Sequence, residues 1–192
     1  MSEFGNPKGI LIGGVGCTGK TTSAAQLMQK YGMPYFPIDY LMMGMTRSGS
    51  TNIFTPIDSV EVIAPELWSV VKAMAMTSIE NNHSMIFEGF QLLPKYLGHF
   101  DTAYQPHVLP LCLGFSSDYI DEHFMNSIAL FRNQTETRDF SDENVQQMKM
   151  DNLKMKSECT QYNIPFFEAT RSYDRMVENA LDYIESAMSL GK

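Results

Sequence analysis

The sequence lacks most of what marks a secreted, metal-caged or nucleic-acid-binding protein. Its three cysteines, Cys17, Cys112 and Cys159, are widely spaced and include no CxxC pair. That argues against a disulfide framework and against a zinc site. Its four histidines, His83, His99, His107 and His123, form no HxxxH pair, so no protein metal cage is expected. Basic residues number 14 against 22 acidic ones, a formal net charge of -8. Duplex nucleic acid needs a clustered basic face and is not an expected partner; the acidity is read as serving solubility. No apolar run approaches the ~18 residues of a membrane span. The start MSEFGNPKG has no basic segment leading into an apolar one. The expectation is a cytoplasmic protein without a membrane partner, its oligomeric state open.

What is present is an ordinary globular composition: 44% hydrophobic and 19% charged residues over 192 positions, enough for one well-buried core. Apolar runs of strand length alternate with helical patterns, which predicts an α/β protein with a largely parallel sheet. The expected strands are 9 to 13 (GILIG), 34 to 38 (PYFPI), 84 to 88 (SMIFE), 107 to 113 (HVLPLCL) and 164 to 168 (IPFFE). Pro37 and Pro110 count against two of them, because proline cannot donate to a ladder. A helix over 20 to 31 is stopped by Gly32. A second, over 65 to 80, places Pro65 in its first turn and buries Ile63, Leu67, Val70 and Met74. A third runs over 117 to 131. Ser141, Asp142 and Glu143 start a fourth, with Val145, Met148, Asn152, Met155, Cys159 and Tyr162 on one stripe. The last, near 173 to 188, buries Val177, Leu181 and Ile184. The 15 methionines fall mostly in these patterns, as core filling.

One stretch carries chemistry. Gly14-Val15-Gly16-Cys17-Thr18-Gly19-Lys20-Thr21 fits GxxxxGK followed by Ser or Thr, between an expected strand and an expected helix. In that context successive backbone N–H groups wrap an anion, and the helix N-terminus adds positive partial charge. Gly14 and Gly19 permit close approach and unusual dihedrals; Lys20 reaches the β- and γ-phosphates; the Thr21 hydroxyl ligates Mg²⁺. Thr22 reads as a helix residue, and no chemistry is expected of the Cys17 thiol. An NKxD guanine motif and a DxxG switch are absent at sensible spacing, which excludes a GTPase.

Acidic residues end the next two expected strands. Asp39, in PIDYLMMGMTRS, stands where ligands of open α/β sheets bind, placed to accept a proton from an attacking hydroxyl or to hydrogen-bond it. An Asx turn or helix cap is the alternative. Arg47 is the only arginine between the loop and residue 131, hence the natural clamp for an anionic substrate group, unless it is simply a surface residue. Glu88, in SMIFEGFQLLP, is expected in the Mg²⁺ shell, directly or through water, with Gly89 leaving room for substrate.

GGVGCTGKTT, IDYLMMGMTRS and FEGFQLLP, in that order and spacing, resemble the small P-loop kinases of the nucleoside monophosphate kinase-like superfamily. Among these, the likeness is to bacterial proteins described as adenylate kinase-like, 2-phosphoglycerate kinase-like or zeta-toxin-like. The resemblance implies a P-loop NTPase fold over 1 to 192, with a five-stranded parallel sheet in order 2-3-1-4-5. It also implies a substrate-binding helical insertion at about 40 to 82 and a short mobile lid at about 131 to 141. In the lid FRNQTETRDFSDEN, Arg132 and Arg138 are then expected to fold over ATP and stabilise the transferring phosphoryl group. The segment Glu168 to Tyr173 corresponds to the loop that packs against adenine.

The chain departs from adenylate kinase where DGFPR becomes Glu88-Gly89-Phe90-Gln91-Leu92, without an arginine to grip a nucleotide phosphate. The expected acceptor is therefore a hydroxyl or phosphate of a small molecule, foremost a hydroxylated one bearing a single carboxylate or phosphate. The resulting expectation is an ATP- and Mg²⁺-dependent kinase with Lys20, Asp39, Arg132 and Arg138 catalytic. Gly14 to Thr22 hold nucleotide, Asp39, Arg47, Glu88 and Gly89 hold substrate, and Thr21 and Glu88 hold metal. A zeta-toxin-like nucleotide-sugar kinase and an ATP-binding protein without turnover stay open beside it.

Overall fold

The computed structural model describes residues 7–130 and 145–189. Five strands, β1 (Gly9–Gly14), β2 (Tyr35–Pro37), β3 (Met85–Glu88), β4 (Val108–Phe115) and β5 (Phe166–Ala169), form one parallel sheet in order β2-β3-β1-β4-β5. The helices are α1 (Lys20–Tyr31), α2 (Ile38–Ser48), α3 (Val60–Glu80), α4 (Pro94–Leu97), α5 (Ser117–His123), α6 (Val145–Gln161) and α7 (Tyr173–Ser189). A π-helical turn, Phe124–Ile128, continues α5. The expected helix start at Ser141 to Glu143 and the lid of 131 to 141 lie outside the described residues, along with Arg132 and Arg138.

A parallel sheet covered on both faces must be apolar on both, and the strands obey this with a period of two. Ile10, Ile12, Ile86, Leu109, Leu111 and Leu113 face a core closed by α1, α5 and α7. Leu11, Phe87, Val108 and Cys112 face a second core closed by α2, α3 and α4. Helix α6 serves both: Met148 joins the first, Met155 and Cys159 the second. Its buried Asn152 accepts the Phe115 N–H at 2.7 Å and donates to Met148 O at 2.8 Å, pinning α6 at the carboxyl end of β4.

Both strand prolines sit where a missing donor costs little. Pro37 ends the edge strand β2. Pro110 shares the parity of Cys112, whose N–H reaches Pro165 O at 2.9 Å, so its nitrogen faces the β5 side two residues before that pairing begins. The second helix differs from expectation. It begins at Val60, and Pro65 lies inside it rather than in its first turn. Starting early buries Ile63 and Ala64, and the carbonyl left without a partner belongs to exposed Glu61, where water can serve it. Its buried stripe is Ile63, Ala64, Leu67, Val71, Ala75 and Ser78; Val70 and Met74 are only half-buried. By length and composition α3 could cross a membrane; its buried stripe packs into the second core. On α6 the stripe holds from Met148 to Cys159, but Tyr162 falls past the helix end and is exposed.

Candidate functional site at the carboxyl end of the sheet

The loop from β1 to α1 folds as its glycines demand. Gly14 has φ 134 and Gly19 φ 89, both in the left-handed half where a side chain is strained. A Cβ on Gly14 would lie 2.2 Å from Leu113 O, and one on Gly19 2.4 Å from Tyr173 Oη. Tyr173, the first residue of α7, therefore packs its phenol on the loop. Cys17 takes φ 63, a left-handed turn that glycine would make at lower cost. Gly16 is the open point, with nothing within 4 Å of a built Cβ.

Val15 O is the internal anchor of the loop. It accepts the Thr18 hydroxyl at 2.8 Å and the Lys20 ammonium at 2.7 Å. Thr18 is fully buried, and its side chain closes the loop. Lys20 is 9% exposed. Burial pulls its pKa below the usual 10.5, opposed first by Glu88 and then by Cys17, Asp39 and Cys112. Thr21 and Thr22 are exposed on the first turn of α1.

Glu88 ends β3 with 4% exposure, and its Oε1 accepts the Thr21 hydroxyl at 3.0 Å. Burial raises its pKa above 4.5; Lys20 and the Thr21 hydrogen bond oppose the rise, and Asp39 adds to it. Hydroxyl and carboxylate thus present adjacent hard oxygens, a donor set that fits Mg²⁺ shared with phosphates and water. Among the described residues no cluster of three or more His, Cys, Asp or Glu could hold a metal alone. The left-handed bends of the loop, the buried ammonium and the open space at Gly16 fit a nucleotide phosphate.

The raised Glu88 pKa gives a stability test. The folded protein keeps this proton to higher pH than the unfolded chain, so the group's contribution is full below 4.5 and is lost as pH rises through the folded value. Glu88→Gln removes the titration. The urea midpoint of the unliganded wild type, relative to that of the variant, is expected to fall as pH rises from 4.5 toward neutrality. A flat difference across that range contradicts the assignment.

Asp39 is the second residue of α2, which leaves β2 directly after Pro37. Pro37 pairs with Glu88 in the β2–β3 register, so the start of α2 and the turn after Glu88 lie side by side. There Gln91 Nε2 donates to Asp39 Oδ1 at 2.8 Å and approaches Met42 Sδ at 3.6 Å. Gln91 is 2% exposed and its Oε1 has no partner. A buried unpaired acceptor costs about 1–3 kcal/mol. A Cβ on Gly89 would sit 2.5 Å from Gln91 Oε1 and 3.0 Å from Ile38 Cβ, so the missing side chain admits Gln91 and the start of α2. Arg47 stands in the last turn of α2, exposed, and forms no ion pair with a described residue. Eight residues of helix put its backbone roughly 12 Å from that of Asp39. The structure therefore gathers Lys20, Thr21, Glu88 and Asp39, and it places Arg47 apart from them. Gln91 was missed as a site residue; its one signal is an amide among the apolar residues of FQLLP.

No protein-family model matches the chain, and no curated protein matches it. Solved structures do. A gluconokinase from Sinorhizobium meliloti 1021 is 12% identical with TM-score 0.53, covering 96% of this chain and 95% of its own. A shikimate kinase from Aquifex aeolicus is 14% identical with TM-score 0.51, covering 96% and 99%. A sugar kinase from Janibacter sp. HTCC2649 is 16% identical with TM-score 0.51, covering 97% and 99%. At such identities the likeness carries the fold, and it agrees with the strand order and loop seen here: the chain has the P-loop NTPase fold shared with these kinases.

Proposed function

We propose that the protein is an ATP-dependent phosphotransferase, a cytoplasmic enzyme that moves the γ-phosphoryl group to a hydroxyl of a small molecule. The observation that carries this is the meeting of Lys20, the Thr21–Glu88 pair and Asp39 at the carboxyl ends of β1, β3 and β2. Lys20 neutralises charge on the β- and γ-phosphates, with residues 14 to 22 of the loop around them. Thr21 and Glu88 would hold Mg²⁺, which would supply positive charge against that developing on the phosphates. Asp39 orients the acceptor hydroxyl and takes its proton as the new O–P bond forms and the bond to ADP breaks. Arg132 and Arg138 are proposed to close over the transferring group, and Arg47 to meet an acidic end of a long acceptor. Gluconokinase, shikimate kinase and a sugar kinase among the solved structures favour small hydroxylated acceptors over nucleic acid or membrane.

The test is ADP release from Mg·ATP with pools of sugars, nucleosides and phosphorylated acids, followed by single compounds from any active pool. Acceptor-dependent release is expected. Mg·ATP binding with no pool raising ADP release overturns the reading in favour of a nucleotide-binding protein. With an active acceptor, Asp39→Asn is expected to lower kcat by roughly 10²-fold while leaving the ATP KM near wild type. An equal loss in ATP affinity removes Asp39 from the acceptor side.

A further inference from the structure

The geometry points to Gln91 as the residue that positions Asp39 for its work on the acceptor. The inference rests on the phosphotransferase reading above and assigns a part to a side chain that reading does not use. Both amide donors of Gln91 are committed to α2, one to Asp39 Oδ1 at 2.8 Å and one toward Met42 Sδ at 3.6 Å. A two-point tether of this kind fixes where the first turn of α2 lies and how the Asp39 carboxylate is rotated. With Oδ1 held, no described residue donates to Oδ2, which is left for an acceptor hydroxyl. Gly89 belongs to the same device, because any side chain there would collide with the Gln91 amide at 2.5 Å.

Stability alone does not explain a glutamine at this place. Its Oε1 is buried without a partner, and Phe90, Leu92 and Leu93 around it in the chain pack into the core on that face of the sheet. An unbranched apolar side chain of similar length would fill the space and abolish the orphaned acceptor. What it could not do is donate to Asp39. A residue kept at a local cost where an apolar one would pack is the mark of a functional constraint.

Gln91→Met separates the two roles. It is expected to lower kcat by roughly tenfold to a hundredfold, the effect of a misaligned catalytic group. The ATP KM and Mg·ADP affinity by calorimetry are expected to stay within about twofold, since the tether does not touch the phosphate loop. The melting temperature is expected to stay level or rise. In an Asp39→Asn background, Gln91→Met is expected to cost little further, because Gln91 acts through that carboxylate. Gly89→Ala, which displaces the amide without altering it, is the second variant and is expected to reproduce the kcat loss. Wild-type kcat in Gln91→Met overturns the proposal, as does a loss equally large with and without Asp39. If both Gln91→Met and Gly89→Ala lose turnover only in step with melting temperature, the role is structural and the proposal falls. Absence of turnover in the wild type, with Mg·ADP bound, instead refutes the phosphotransferase reading itself and takes the role of Gln91 with it.

Discussion

Lys20→Ala is expected to lower phosphoryl transfer by about 10³-fold or more while leaving the fold intact. The two halves of that expectation have one cause. Lys20 is an ammonium held at 9% exposure, with burial pulling its pKa down and Glu88 as the largest force holding its proton on. A charge kept in that state is unfavourable for folding. Its removal relieves that cost but leaves buried Glu88 without its main countercharge, so the variant is expected to fold with a lowered melting temperature. The same desolvation makes the charge effective against phosphate oxygens, since little water competes for it. Lys20→Arg is expected to fail as well, because a planar fork does not fit where a compact ammonium meets Val15 O at 2.7 Å. Single-turnover ADP formation at saturating Mg·ATP, beside a thermal melt, is the measurement. Turnover within tenfold of wild type in Lys20→Ala ends the donor assignment.

Lys20 and Glu88 are also coupled, with a consequence for metal. Each is pushed toward its neutral form by burial and each pulls the other back. Loss of Lys20 leaves Glu88 with burial and Asp39 acting against ionisation, and only the Thr21 hydroxyl in its favour. The lysine proposed to serve phosphate also favours the charged form of the carboxylate beside Thr21. The motif residue and the strand-end acid form one electrostatic unit, although 67 residues separate the Thr21 and Glu88 atoms that hydrogen-bond.

This pairing also marks how far the sequence could be read. The phosphate loop, its lysine and the Glu88 strand end were legible because each rests on local pattern: a glycine-spaced motif, and an apolar run ending in an acid. All five strands were legible for the same reason, though β5 begins at Phe166 rather than at Ile164, which is buried ahead of it beside Pro165. The helix α2 was not, since it follows Pro37 with no side-chain cap and carries Gly44 in its middle. Asp39 therefore read as the end of a strand, and Arg47 as its neighbour in a loop rather than a residue two turns of helix away. The Asp39–Gln91 contact was illegible for a deeper reason. It exists only because β2 lies next to β3 with Pro37 opposite Glu88, a register set by the whole sheet.

Gly14→Ala is expected to be the most destructive single methyl in the chain, and its effect should fall on folding before function. Gly14 ends β1 opposite Leu113 of β4, with φ 134, so an alanine there is strained even in free space. Space is not free: the added Cβ would lie 2.2 Å from Leu113 O and 3.0 Å from Leu113 N. These are backbone atoms of the strand that also pairs with β5, so no rotamer change relieves the contact. Strain and overpacking together are worth roughly 2–6 kcal/mol. In a domain of this size that is a fall of about 5–20 °C in melting temperature. Gly16→Ala, two residues on, is the control: its Cβ meets nothing within 4 Å, so stability should stay within about 0.5 kcal/mol of wild type. Urea denaturation of both variants, with Mg·ADP titration of whichever folds, is then expected to separate two uses of glycine in one loop. At Gly14 the missing side chain admits β4; at Gly16 it keeps open the space where a phosphate is proposed to sit. Equal stability of the two variants would mean that β1 and β4 do not approach at Gly14 as described.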